Sequence, residues 1–107
     1  MIKECDVHVL KNKISAKENI QFIDCREQAE WDEAHIEGAT LLPLSEFEAK
    51  YETTLKDKNA EIIIQCRSGA RSMKACMFLL SKGFTNLTNV SGGIMSWTHE
   101  GYSVITE

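Results

Sequence analysis

Residues 62–80 read IIIQCRSGARSMKACMFLL. An apolar, β-branched run ends at Cys66, the polar or small residues Arg67, Ser68, Gly69, Ala70 and Arg71 follow, and an apolar pattern of another period begins. Met73, Cys76, Met77 and Leu80 recur at i, i+3, i+4 and i+7, which predicts a helix buried along that line, and Gly83 is placed to end it in a left-handed cap. A buried strand passing through a short loop into a helix is the repeating unit of a parallel α/β sheet.

The flanking sequence repeats the alternation. Gln21–Asp24, Thr40–Leu42, Glu61–Gln65 and Leu87–Val90 read as strands, several of them nearly all apolar, as in a sheet covered by helices on both faces. Asp6 is placed to cap a helix with Val7, Leu10 and Ile14 on one face. Ser45 precedes a polar stretch in which Phe47 and Tyr51 stand four apart. No repeat, low-complexity tract or linker interrupts the 107 residues, which fit one domain, residues 1–107.

Composition narrows the function classes. With 43% hydrophobic and 26% charged residues the chain is an ordinary globule, and a net charge of −4 gives no general reason to bind nucleic acid or an anionic membrane. An anion site must therefore be local. No stretch approaches the roughly 18 apolar residues of a membrane span, and the first ten residues do not read as a signal peptide, so the expected location is cytoplasmic. Cys5, Cys25, Cys66 and Cys76 form no CxxC pair and read as reduced thiols, and three scattered histidines give no metal-binding spacing.

Cys66 falls at the carboxyl end of its strand, immediately before a helix, where open α/β sheets place their ligands. Gly69 permits a tight turn in which successive backbone N–H groups curl into an anion-binding nest opening on the helix N-terminus. A thiol at that focus, flanked by Arg67 and Arg71, is expected to ionise readily and to need no adjacent general base. The plainer alternative is a buried small hydrophobe, but inert cysteines are not usually flanked by two arginines and a glycine turn. Tyrosine-type phosphatases place five residues between cysteine and arginine. Here there are four, with Ser72 at the phosphatase position, so the ring is smaller and sulfur chemistry fits it better.

The loop CRSGAR at 66–71 resembles that of the single-domain rhodaneses, the thiosulfate sulfurtransferase family. DCREQAEWDEAHIEGA at 24–39 is similar to the family's amino-terminal motif and GGIMSWTHEGY at 92–102 to its carboxyl-terminal one. Ala34 departs from the pattern, which often has glycine before the histidine. The resemblance implies a rhodanese-like α/β fold with a central, mostly parallel five-stranded sheet and helices on both faces. It also implies catalysis through a persulfide on Cys66, with residues 67–71 binding the donor and the persulfide. No cofactor is implied. The partners would be thiosulfate or another sulfane-sulfur donor, and cyanide, a small thiol or a protein thiol as acceptor.

Asp24, Arg26 and Glu30 read as a structural ion-pair group, His35 as a structural histidine, Trp31 and Trp97 as packing residues, and Cys76 as core. Cys25 is a candidate secondary thiol: if its strand neighbours that of Cys66, as the family's sheet order implies, it is placed to act on the persulfide. The plainer reading packs it under the rim of the sheet. Two further functions compete with the enzyme: a rhodanese-shaped binding module working with a partner protein, and a small phosphatase or arsenate reductase.

Overall fold

A computed structural model describes residues 1–106. Among these, five parallel strands form one sheet: β1 (Ile2–Cys5), β2 (Gln21–Asp24), β3 (Thr40–Leu41), β4 (Ile62–Gln65) and β5 (Leu87–Val90), in the spatial order β1-β5-β4-β2-β3. The helices are α1 (Val7–Ser15), α2 (Gln28–Glu33), α3 (Phe47–Thr54), α4 (Ala70–Ser81) and α5 (Gly93–His99), with a 3-10 turn at Leu44–Glu46 before α3.

The period-two geometry of the strands divides the core. Ile62 and Ile64 of β4 and Ile23 of β2 join Phe47, Leu55, Ala75, Cys76 and Leu79 beneath α3 and α4. Ile63 and Phe22 face the other way, toward Val7 and Leu10 of α1 and Ile94 and Trp97 of α5. Both faces are therefore covered, which is why these strands lack a polar side. The expected cap of α1 is present, the Val9 amide donating to Asp6 Oδ1 at 3.0 Å. Gly83 has φ +93°, where a left-handed cap needs it.

One expectation needs correction. The buried line of α4 is Ser72, Ala75, Cys76 and Leu79, one position away from the expected stripe, and Met77 and Leu80 are 58% and 40% exposed. The small Ser72 and Ala75 let the helix lie close on β4, a constraint set by the loop before it that hydrophobicity alone does not express. Ser45, just before α3, donates its hydroxyl to Glu27 at 2.7 Å, tying the 3-10 turn to the start of α2. The edge strand β1, polar at Lys3 and Glu4, carries no strand pattern and is defined by its pairing with β5.

This order places the site. The chain leaves β2 outward to β3 and leaves β4 outward to β5 on the opposite side, so a crevice opens between the carboxyl ends of β2 and β4. Asp24 is in register with Gln65, and the ladder runs one bond further, from the Cys25 amide to the Gln65 carbonyl at 3.0 Å. Cys25 and Cys66 thus come level on adjacent strands, and both belong to the core beneath α4.

Candidate active site around Cys66

Cys66 is only 1% exposed, at the floor of its loop. Gly69, at φ +115°, turns the chain so that its own amide donates to Cys66 Sγ at 3.1 Å. The Ser72 amide adds a contact at 3.4 Å, and the Ser72 hydroxyl stands 3.4 Å from the sulfur. The first amide of α4 with a backbone partner is that of Met73, which donates to Gly69 O. Among the described residues, the amides of Arg67, Ser68, Ala70 and Arg71 have no hydrogen-bond partner.

The carbonyls of Cys66, Arg67 and Gly69 in the same loop are held elsewhere. Ile94 and Met95, at the start of α5, donate their amides to Cys66 O at 2.9 Å and Arg67 O at 3.0 Å. Asn89 of β5 donates its side-chain amide to Gly69 O at 3.2 Å and accepts the Ser72 hydroxyl on Oδ1. With these carbonyl dipoles turned away, the loop offers the sulfur N–H groups, an arrangement that favours negative charge. Gly93 makes the approach of α5 possible: a Cβ there would stand 2.3 Å from Cys66 O.

These contacts stabilise the thiolate. The Cys66 thiol is held well below its ordinary range, first by the hydrogen bond from the Cys25 thiol, then by the Ser72 hydroxyl and amide and the Gly69 amide, which together outweigh burial. Cys25, 0% exposed, is pushed far up by the same hydrogen bond and by burial. Cys76, inside the core, is pushed up to about 12 by burial.

The two loop arginines differ. Arg71 is held by Glu30, with Nη1–Oε1 at 2.7 Å and Nη2–Oε2 at 2.8 Å, and this pairing holds the Glu30 carboxyl down to about 2. Arg67 is exposed and, among the described residues, has no salt-bridge partner. It lines a cleft of about 210 Å³ between α2 and α5 with Glu30, Glu33 and Met95. Ser68 and Ala70 are exposed in the loop.

The expected ion-pair group is present and reaches further than expected. Asp24 and Arg26 form a buried pair at 2.9 Å, and Arg26 also donates to Ala34 O at 2.7 Å, fixing α2 above the end of β2. Glu30 of α2 then holds Arg71. Ala34 has φ −169°, extended backbone that any residue adopts, so the missing glycine has no structural cost. His35 stacks on Trp31 with ring centroids 3.7 Å apart, and Trp97 is buried with its indole N–H bonded to Ser103 O.

Two residues escaped the sequence reading. In the sequence Ser72 stands out only as the residue at the phosphatase position, although its place in the first turn of α4 puts an amide and a hydroxyl near the sulfur. Asn89 carries no local signal, because only the pairing of β5 with β4 brings it to the loop.

The chain matches the rhodanese-like domain model over residues 6–100. It is 42% identical over 99 residues to YtwF of Bacillus subtilis, whose name assigns it provisionally to the sulfurtransferases; the match covers 92% of this chain and 93% of that protein. It is 31% identical over 105 residues to a protein of Allochromatium vinosum named sulfurtransferase, covering 98% and 96% of the two chains. The crystal structure of a rhodanese-related protein from Thermoplasma volcanium superposes with a TM-score of 0.83 at 28% identity, covering 98% of this chain and 99% of that one. The rhodanese-like domain of the Anabaena protein Alr3790, at 24% identity, reaches 0.89 over 100% of this chain and 81% of that one, a likeness of fold. With its cysteine loop on a five-stranded parallel sheet, the chain belongs to the rhodanese-like domain family.

Proposed function

We propose that the chain, acting as one domain over residues 1–107, moves sulfane sulfur through a persulfide on Cys66, with thiosulfate or a related donor and a thiol or cyanide as acceptor. The observation that carries this reading is the ring of loop amides around a buried cysteine sulfur, two of them already bonded to it. In the first step the Cys66 thiolate attacks the outer sulfur of thiosulfate, a sulfur–sulfur bond forms, and the old one breaks to release sulfite. Three negative charges enter and three leave. In the second step the acceptor takes the outer sulfur and Cys66 returns as thiolate.

An anionic nucleophile meeting a dianion needs its repulsion offset. Arg67 is the exposed cation for the donor's oxygens, while Arg71, its charge shared with Glu30, positions the start of α4. The amides of residues 67–71 hold the outer sulfur of the persulfide; one such preorganised donor lowers a barrier by about 3 kcal/mol in acyl-transfer sites. Four unpaired thiols fit a reducing, cytoplasmic setting.

Intact-protein mass after thiosulfate treatment tests the reading. The wild type should gain one sulfur atom that cyanide removes, and Cys66→Ser should gain none. No gain in folded, reduced wild type would overturn thiosulfate as donor, and no gain with any sulfane-sulfur donor would leave the binding-module reading.

A further inference from the structure

Cys25 stands where an apolar residue would complete the core, yet it shares its cluster with the cysteine at the centre of the site. The bond from the Cys25 amide to Gln65 O brings it level with Cys66 on the neighbouring parallel strand, where chains lie about 4.8 Å apart. Both side chains enter the same core cluster beneath α4, and neither is more than 1% exposed. Two thiols level on neighbouring strands and sealed from water leave each other as the available hydrogen-bonding partner on the β2 side. On the α4 side, Cys66 already accepts from Gly69 and Ser72.

We propose that Cys25 is a positioning residue for Cys66: it donates its S–H to the Cys66 sulfur, so that the buried pair carries one proton and one negative charge, the charge on Cys66. This deepens the sulfur-transfer reading and rests on Cys66 being its reacting thiol.

The surrounding groups set the direction of sharing. Asp24, next to Cys25 on β2, opposes a negative charge on Cys25, and Arg71 of α4 acts on both sulfurs. Gly69 and Ser72 donate to Cys66, where they favour the charge. The proton therefore stays on Cys25. A protonated Cys25 is also a poor nucleophile, so a persulfide on Cys66 survives beside it although a thiolate there would displace the outer sulfur as hydrosulfide.

The test is the pH titration of thiolate ultraviolet absorbance in the reduced full chain, for wild type, Cys25→Ser, Cys25→Val and Cys25→Ala, with Cys66→Ser as the blank. Cys5 and Cys76 both titrate above the ordinary thiol range, so the low-pH step belongs to Cys66. Cys25→Ser keeps a donor and should titrate with the wild type. Cys25→Val and Cys25→Ala remove it and should move the step upward by about one pH unit or more. Two apolar variants of different size keep the comparison if one packs badly, and circular dichroism confirms the fold of each.

A wild-type midpoint shared by the valine and alanine variants would overturn the proposal. So would a wild-type chain that loses two hydrogens and releases sulfide in thiosulfate, because Cys25 would then be consumed as a resolving thiol. The titration uses no sulfur donor. If it shifts as expected while no donor ever loads Cys66, the sulfur-transfer reading falls and the hydrogen bond stands.

Discussion

Arg71 and Glu30 lie 41 residues apart in sequence and meet through two parallel hydrogen bonds, 2.7 and 2.8 Å long, that join the first turn of α4 to α2. Glu30 thereby does for the loop what Asp24 does for Arg26.

Glu30→Gln should cost about 1 kcal/mol or less at neutral pH, because both side chains are about a third exposed and solvent screens the pair. The pH dependence gives the sharper test. The folded Glu30 is depressed to about 2, so its contribution is complete above the unfolded value of about 4.3 and is lost as pH falls through about 2. Urea unfolding should separate wild type and variant at pH 7 and bring them together at the acid end of that window.

Arg67→Ala should raise KM for thiosulfate more than it lowers kcat, since the side chain sits exposed at the cleft and has no salt-bridge partner among the described residues. Added salt should weaken the wild type toward the variant. Steady-state kinetics at two ionic strengths decide it, and an unchanged KM would remove Arg67 from donor binding.

Ser72→Ala should slow persulfide formation by at most about tenfold, one hydrogen bond of about 1.4 kcal/mol, because the single hydroxyl proton is shared between the sulfur and Asn89 Oδ1. Asn89 loses its donor in the same change, so stability should fall as well. Single-turnover loading monitored by mass, beside thermal unfolding, separates the two effects.

Gly93→Ala and Gly69→Ala should differ in degree. A Cβ at Gly93 meets Cys66 O at 2.3 Å on a backbone with φ +52°, and the expected loss is about 2–4 kcal/mol. At Gly69 the nearest atoms are 3.6 Å away, so only the left-handed backbone is strained, at about 1–2 kcal/mol. Equal losses in denaturant unfolding would contradict this account of the α5 contact.

Sulfur uptake should stay nearly flat as pH falls from 8.5 through 6. An ordinary thiol would lose thiolate across that interval, whereas Cys66 is ionised far below it and loses its thiolate only when pH passes through the lowered value. A rate falling tenfold per unit in kcat/KM over this range would show a normal thiol.

Much of this architecture is written locally. The β4 run, Gly69 and the cap at Asp6 each act within a few residues, so strand, turn and helix start follow from the residues themselves. The line that α4 buries lies one position from its apolar stripe because docking on the loop orients the helix, and Ser72 looks polar until its partner is known. β1 and Asn89 were hidden for a related reason: each is defined by a neighbour far away in sequence. The role of Glu30 lies between these cases, its ion-pair character visible and its partner on α4 visible only in three dimensions.

The grip of α5 on the loop has a consequence in time. Cys66 is translated well before Gly93, Ile94 and Met95, and until those residues leave the ribosome nothing draws the carbonyls of Cys66 and Arg67 away from the sulfur. Without α5 those two carbonyls are free to turn inward, so the loop's acceptor-poor face toward the sulfur is expected to be complete only once that helix has docked.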